Sequence, residues 1–217
     1  MKLKVNSACV VFFILNIVFV GRNFAQKEAF SRPVHFNLHQ NTKSNIDSIT
    51  SYAEDIYELE TDSALHLFEK ADLLAASSGN SEAQSRIAGD VGYIYFLSGE
   101  YEKALNYFEL EKKYAIKKNY TKGVASSLMH LGHLRTDEGK NAEAIGLFNS
   151  ALAMVRNKKE LLSEEIHALS HIASVSEVIG KKDTALLLLE EALPLAKILK
   201  DDNVTAMIQN NLGGIYR

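Results

Sequence analysis

Apolar residues along this chain recur three and four positions apart, in long segments separated by short polar breaks. The clearest such stretch is 87–119, IAGDVGYIYFLSGEYEKALNYFELEKKYAIKKN. Its spacing predicts two helices packed as a hairpin. Gly92 lets a neighbouring helix approach closely, and Gly99 ends the first helix because glycine takes the left-handed turn conformation cheaply. Tyr95 lies between them. Tyr101, Ala104, Leu105 and Phe108 then share one face of the second helix.

The unit returns about every 40 residues, so repetition is read before any single element. The first-helix register runs Gly92, Gly132, Ala173 and Gly213, at intervals of 40, 41 and 40. Around Gly132 stand Leu131, Gly139, Ala144, Phe148 and Ala151; around Ala173 stand Gly180, Ala185, Leu189 and Ala192. The final copy, Leu212-Gly213-Gly214-Ile215-Tyr216, has a first helix and no second. The pattern divides the repeat domain 45–217 into pairs at 45–80, 81–120, 121–161 and 162–201 and a partial unit at 202–217. The pair 45–80 fits least well, with Tyr52 where later copies carry glycine or alanine, as expected of a capping repeat. Ser81-x-x-Gln84 predicts a capping box, and Pro194 predicts a kink near Leu193. Strand-like alternation is absent, so the expected class is all-α, a solenoid of helical hairpins.

Composition changes this picture mainly at the start. Residues 1–25 combine Lys2 and Lys4, an apolar run over 8–20 and the end Asn23-Phe24-Ala25. That is the layout of a secretory signal peptide, cleaved after Ala25 or retained as a membrane anchor. Cleavage removes Lys2, Lys4, Arg22 and the only cysteine, Cys9, and takes the net charge from −3 to −6. A cysteine-free chain neither needs nor risks disulfides in an oxidising compartment. Its acidic balance, without a basic cluster, argues against nucleic acid. Residues 26–44, with Pro33, His35 and His39, read as a linker or loosely held arm. The charged runs 109–113 and 117–118 read as solvated outer faces.

The repeated positions resemble the tetratricopeptide repeat: Leu-Gly-x-x-Tyr, then Gly-x-Tyr-x-x-Ala, then Phe-x-x-Ala. The best copy is Gly92, Tyr95, Gly99, Tyr101, Ala104 and Phe108; the next is Leu131, Gly132, Gly139, Ala144, Phe148 and Ala151. The third departs at Ala173, Lys182 and Leu189, and the usual tryptophan is absent throughout. The resemblance implies a right-handed superhelix whose first helices line a concave groove. By the family register, that groove presents Arg86, Gly89, Tyr93, Phe96, Ser126, Met129, His133, Thr136, His167, Ser170, Ser174 and Glu177. Phe96 and Met129 there either face a ligand or pack neighbouring helices. The lysine and asparagine clamp of chaperone-type repeats is replaced by Gly89, Tyr93, Met129 and His133, so that clamp does not carry over.

A signal peptide followed by such repeats also resembles the exported sensory region of bacterial histidine kinases and membrane-tethered transcription regulators. The implied function is a protein–protein interaction module, sensory or scaffold, holding a protein or peptide in its groove. A self-contained periplasmic adaptor is the alternative. A metal-dependent enzyme is the further one, since His130 with His133 and His167 with His171 could bind zinc if the pairs met across adjacent repeats. No nucleophile or nucleotide-binding signature is present, so no catalytic residue, metal or cofactor is assigned. Any membrane contact would run through an uncleaved signal or a segment beyond Arg217, and the half-repeat at the end is the expected mark of a truncated longer regulator. Leu212, Ile215 and Tyr216 are then expected to be partly uncovered.

The export reading gives a first test. Intact-mass analysis of protein from the periplasmic fraction is expected to show an N-terminus at or near Gln26; soluble cytosolic protein still carrying Met1 would refute it.

Overall fold

The computed structural model describes residues 42–216. The expected signal peptide and cleavage site, most of the expected arm and Arg217 lie outside the described residues. Nine α-helices follow one another among the described residues: α1 Thr42–Ile56, α2 Thr61–Ser77, α3 Ser81–Leu97, α4 Tyr101–Lys117, α5 Thr121–Asp137, α6 Asn141–Val155, α7 Leu162–Val178, α8 Lys182–Leu199 and α9 Asp202–Ile215. They pair as antiparallel hairpins, α1 with α2 through α7 with α8, and α9 packs on α8 and α7. The odd-numbered helices also touch one another in succession, forming one continuous layer. The architecture is an all-α solenoid. Among the described residues, no helix is long and apolar enough to cross a membrane.

One contact sets each hairpin. A methyl group built on Gly92 would lie 2.6 Å from the ring of Phe108, and one on Gly132 would lie 2.5 Å from the ring of Phe148. Both rings are almost wholly buried, so neither can yield. Where the first helix carries Ala173, the facing residue is Leu189, whose smaller side chain leaves space for the methyl. Each buried aromatic contributes roughly 1.5–3 kcal/mol through the area it takes from water.

Tyr52 does not hold this position in the first hairpin. It is exposed, and Ala53, fully buried in one cluster with Phe68, takes the place of Gly92. Ala53 precedes Phe68 by 15 residues, whereas Gly92 precedes Phe108 by 16. The turns after α3, α5 and α7 each spend a residue on a left-handed glycine, Gly99, Gly139 and Gly180, at φ of 76°, 76° and 80°. No residue of the turn 57–60 has positive φ; α1 ends three residues after Ala53, whereas α3 runs five residues past Gly92, so the path to the facing ring is one residue shorter although this turn is one residue longer than 98–100. Between hairpins the left-handed position passes from Gly79 to Asn119, Asn157 and Lys200. The extra residue of the 41-residue interval falls between α6 and α7, where the 3₁₀ turn Lys159–Leu161 tucks Leu161 into the core.

Other expectations shift locally. Helix α1 takes in Thr42–Ser44, which composition assigns to the arm. Asn80, not Ser81, caps α3: its side chain accepts from the Ala83 amide, while Gln84 donates to Asp72 at 3.3 Å. Ser81 is instead buried. Helix α8 continues through Pro194 as one helix. Tyr101 is exposed at the start of α4, where its hydroxyl donates to Asp137 at 3.2 Å. In the last unit Leu212 is half-buried and Tyr216 exposed, but Ile215 is buried because it belongs to the core cluster shared with α8. A methyl built on Gly213 would meet no neighbouring atom within 4 Å, since no second helix among the described residues pairs with α9 there.

The small-to-large contact can be tested by a double-mutant cycle. Gly132→Ala and Phe148→Leu each destabilise, the first by overpacking and the second by opening a cavity, while the pair recreates Ala173 facing Leu189. The combined loss, measured by chemical denaturation, is expected to fall short of the sum by on the order of 1 kcal/mol. The helix-propensity gain of alanine is present in both backgrounds and cancels. Strict additivity would refute the assigned register.

Candidate concave binding site

Equivalent positions along the odd-numbered helices form a column: Asp90 on α3, His130 on α5, His171 on α7 and Asn211 on α9, at the same intervals as the small residues. The column runs over the rings contributed by the even-numbered helices. His130 stacks on Phe108 with centroids 4.7 Å apart, and His171 lies 5.2 Å from Phe148. His133 meets Phe148 edge-on at 5.4 Å and His171 at 4.3 Å. His167 stacks at 6.2 Å from His171. The two histidine pairs therefore do meet across adjacent repeats, but as rings packed on aromatic core. Among the described residues, no group of three or more histidine, cysteine, aspartate or glutamate side chains could hold a metal ion.

Their environments shift them in opposite directions. Burial disfavours the imidazolium, and neighbouring histidines add to the effect, so His133 is pushed down to about 3 and His171 well below its ordinary value. Burial lowers His167 as well. Burial also opposes the charge on His130, but the adjacent Glu111 carboxylate, helped by Asp90, outweighs it and raises the His130 pKa. His130 Nδ1 donates to Glu111 Oε2 at 2.8 Å.

Glu111 overturns the reading of 109–113 as a solvated face. It is 2% exposed and sits on the buried stripe of α4 with Ala104, Phe108 and Ala115. The equivalent residues in the other hairpins are Ala71, Ala151 and Ala192, all fully buried. Gly89 makes the substitution possible: a methyl there would lie 2.8 Å from Glu111 Oε1. Ser85 Oγ donates to the Glu111 carbonyl at 3.1 Å. Gly123 lets α5 close on this point, since a methyl there would stand 2.6 Å from Ser85 Oγ.

Above Glu111 lies a cavity of about 300 Å³ between α1, α3 and α5. Thr50, Glu54, Arg86, Asp90, Lys122 and Ser126 are among the residues that bound it. Two further carboxylates, Glu164 and Glu165, are buried on α7; Lys122 pairs with Glu164 at 2.7 Å, and the Asn157 amide donates to Glu165 at 3.1 Å. Asp90 is raised to about 7, first by burial and then by Glu54 and Glu111, with His130 and Arg86 acting against them.

The residues expected in the groove divide accordingly. Arg86 and Ser126 border the cavity. Tyr93, His133, His167, Ser174 and Glu177 keep part of their surface open, and Tyr93 lies 6.3 Å from His130. Phe96 and Met129 are buried in the core clusters and pack helices together. Ser170 is buried and accepts from Asn211 Nδ2 at 3.1 Å. Asp90 and Glu111 were not on that list. The available signal was a glutamate where the other hairpins carry alanine.

No protein-family model matches the chain, and no curated protein matches it in sequence. Solved structures do. BtubC (BKLC) from P. vanneervenii superposes with a TM-score of 0.67 and 17% identity, over 95% of this chain and 81% of that one. A Podospora anserina putative kinesin light chain with nearly identical TPR-like repeats gives 0.58 at 18% identity, over 82% of this chain and 88% of that one. A signal transduction ATPase with numerous domains and a tetratricopeptide repeat sensor, from Pyrococcus horikoshii, gives 0.61 at 19% identity; the match covers 80% of this chain and 26% of that protein.

The part-buried rings make stability pH-dependent with a definite sign. His133, His167 and His171 have lowered pKa values in the fold, so below their ordinary 6.5 the unfolded chain takes up more protons. Stability is then lost as pH falls, at up to about 1.4 kcal/mol per unit for each ring. Asp90 acts in reverse between its ordinary 3.8 and about 7, offsetting one ring. The raised His130 contributes fully below 6.5 and loses its contribution at higher pH. Denaturation from pH 6.5 to 4.5 is expected to show falling stability, with a shallower fall in His171→Gln. An acid limb that is flat in the wild type would show that the rings do not stay neutral.

The fold shown by these neighbours and by the packing of the helices is that of tetratricopeptide-like helical repeats.

Proposed function

We propose that this chain is an exported interaction module that holds a protein or peptide segment along its concave layer, as the sensory or scaffold part of a bacterial signalling system. The observation that carries the reading is the polar character of the column on the odd-numbered helices. Asp90, His130 and His171 stand on successive odd-numbered helices, with Glu111 buried beneath the first two. A layer serving packing alone gains nothing from buried charge. The repeats belong to a fold whose superhelix offers an extended inner surface to partners. One structural neighbour carries such repeats as a sensor, which supports the signalling part of the reading. The basic start and apolar run of residues 1–25 support export.

Site-specific photo-crosslinking tests this. A photoreactive residue at Ser126, on the inner layer, is expected to capture a discrete partner in the cells that make the protein. The same residue at Glu109, exposed on the outer face of α4, is expected to capture none. Capture from Glu109 alone would move the binding surface to the convex side.

A further inference from the structure

A cleft of about 430 Å³ opens between α2 and α4, on the outer side where the even-numbered helices run. Comparison between hairpins explains it. Its floor is α3, where Ala88 stands at the place of Leu128 on α5 and Leu169 on α7. Its α2 wall carries Asp72, where α6 has the buried Leu152 and α8 has Leu193. A smaller residue at each place leaves volume that leucine fills elsewhere in the array. The α4 wall is unusual in the same comparison. Half-buried Tyr107 and Tyr114 line it at places that hold Leu67 and Leu74 on α2, Leu147 and Met154 on α6, and Leu188 and Leu195 on α8. Aliphatic side chains serve the packing at all those places, so the tyrosines answer another need. Tyr107 stacks on Tyr95, also in the lining, with centroids 5.5 Å apart.

The chemistry of the lining selects the occupant. Asp62, Glu69 and Asp72 face the cleft from α2, and among the described residues no lysine or arginine lines it. Gln84 donates to Asp72 at 3.3 Å and leaves that carboxylate further acceptor capacity. Asp72 reaches across the cleft: after burial it raises the Tyr114 hydroxyl, and after burial and Tyr95 it raises Tyr107. The chain itself shows that these rings take a cation, since Lys103 Nζ stands 4.9 Å from the centre of the Tyr95 ring. Lys103 does not line the cleft and pairs with Glu100 at 2.5 Å. An anion would meet three carboxylates and the negative faces of the tyrosines. The carboxylates are also spread out. The stretch 62–72 of α2 rises about 15 Å, with apolar Leu65 on the same wall and Ile87 and Val91 on the floor. A small amine spans one end of that length, whereas about four or five residues of extended polypeptide span the whole.

We propose that the cleft between α2 and α4 docks an extended segment of a partner polypeptide in which lysine or arginine residues flank aliphatic ones. The aliphatic side chains enter over Ala88 and Val91 and take apolar surface from water. The basic side chains reach the carboxylates towards either end, Asp62 and Asp72, and one of them lays its stem along Tyr107 or Tyr114. The surface is separate from the concave layer and does not depend on the reading of that layer.

Amide NMR on the full chain tests this with four probes: the blocked tetrapeptides acetyl-Lys-Leu-Leu-Lys amide, acetyl-Glu-Leu-Leu-Glu amide and acetyl-Lys-Gly-Gly-Lys amide, and n-butylammonium. A saturable shift centred on Asp72, Val91, Tyr107 and Tyr114 is expected with the lysine–leucine peptide. The glutamate peptide is expected to give none, and the glycine peptide and the amine to bind much more weakly. Asp72→Asn removes charge at nearly constant shape. The double change Tyr107→Leu with Tyr114→Leu installs the residues that α2 and α8 carry at the same places. Both variants are expected to keep the native circular dichroism and to weaken the lysine–leucine peptide about tenfold. Equal binding of the glycine peptide would reduce the effect to surface charge, and equal binding of n-butylammonium would assign the cleft to a free amine. Either result, undiminished binding in both folded variants, or no shift with the lysine–leucine peptide would overturn the proposal. Crosslinking from Ser126 reports on the concave layer, and Glu109 does not line the cleft, so each proposal can fail without the other.

Discussion

The approach of two helix backbones at a residue without a side chain fixes this structure. Gly92 against Phe108 and Gly132 against Phe148 bring each pair of helices so close that a single added carbon has nowhere to go. Because the rings are buried, the distance and the rotation of the hairpin are set together. The next helix then packs on a surface whose shape is already determined, and the layer of odd-numbered helices inherits its spacing. Ala173 against Leu189 shows that the constraint is on summed volume at the contact, with the particular residues free to exchange.

The repeat was readable because its punctuation has a local cause. Gly99, Gly139 and Gly180 adopt positive φ, and glycine does so at little cost, so composition and conformation coincide. Where another residue performs the same task the sign disappears. Asn119 and Asn157 tolerate the left-handed region through their short polar side chains, and Lys200 adopts it without such help. The misplacement of Tyr52 for Ala53 has a similar origin. A fixed period carried backwards through the chain cannot register a first helix that ends early and shortens the path to its facing ring by one residue.

The polar site was less legible, for a different reason. Burial of Glu111 depends on Gly89 of one helix, and its charge on His130 of another, so neither follows from the stretch of sequence that contains it. Average composition over 109–113 conceals the one residue that points inward. Comparison between repeats would have isolated it, because Ala71, Ala151 and Ala192 occupy the same place. Asp90 is harder still. Its place at the cavity wall depends on α1 and α5 on either side, and its own neighbours in sequence, Gly89 and Val91, look like ordinary repeat core. Phe96 and Met129 illustrate the converse: the periodicity places them on the inner layer, and only packing shows that they face neighbouring helices.

Because each helix touches only helices close to it in the chain, the array is modular in heredity as well as in form. Gain or loss of one hairpin leaves the joints on either side with the same small-to-large contact to make. A duplication would lengthen the inner layer without disturbing its curvature locally. The cavity does not share that indifference. It draws on three successive hairpins, with Gly89 and Glu111 in the middle one, so it exists at one address in the array and cannot be copied by repeating any single unit. Drift in hairpin number at the far end is therefore compatible with keeping this site, while rearrangement within the first three hairpins is not.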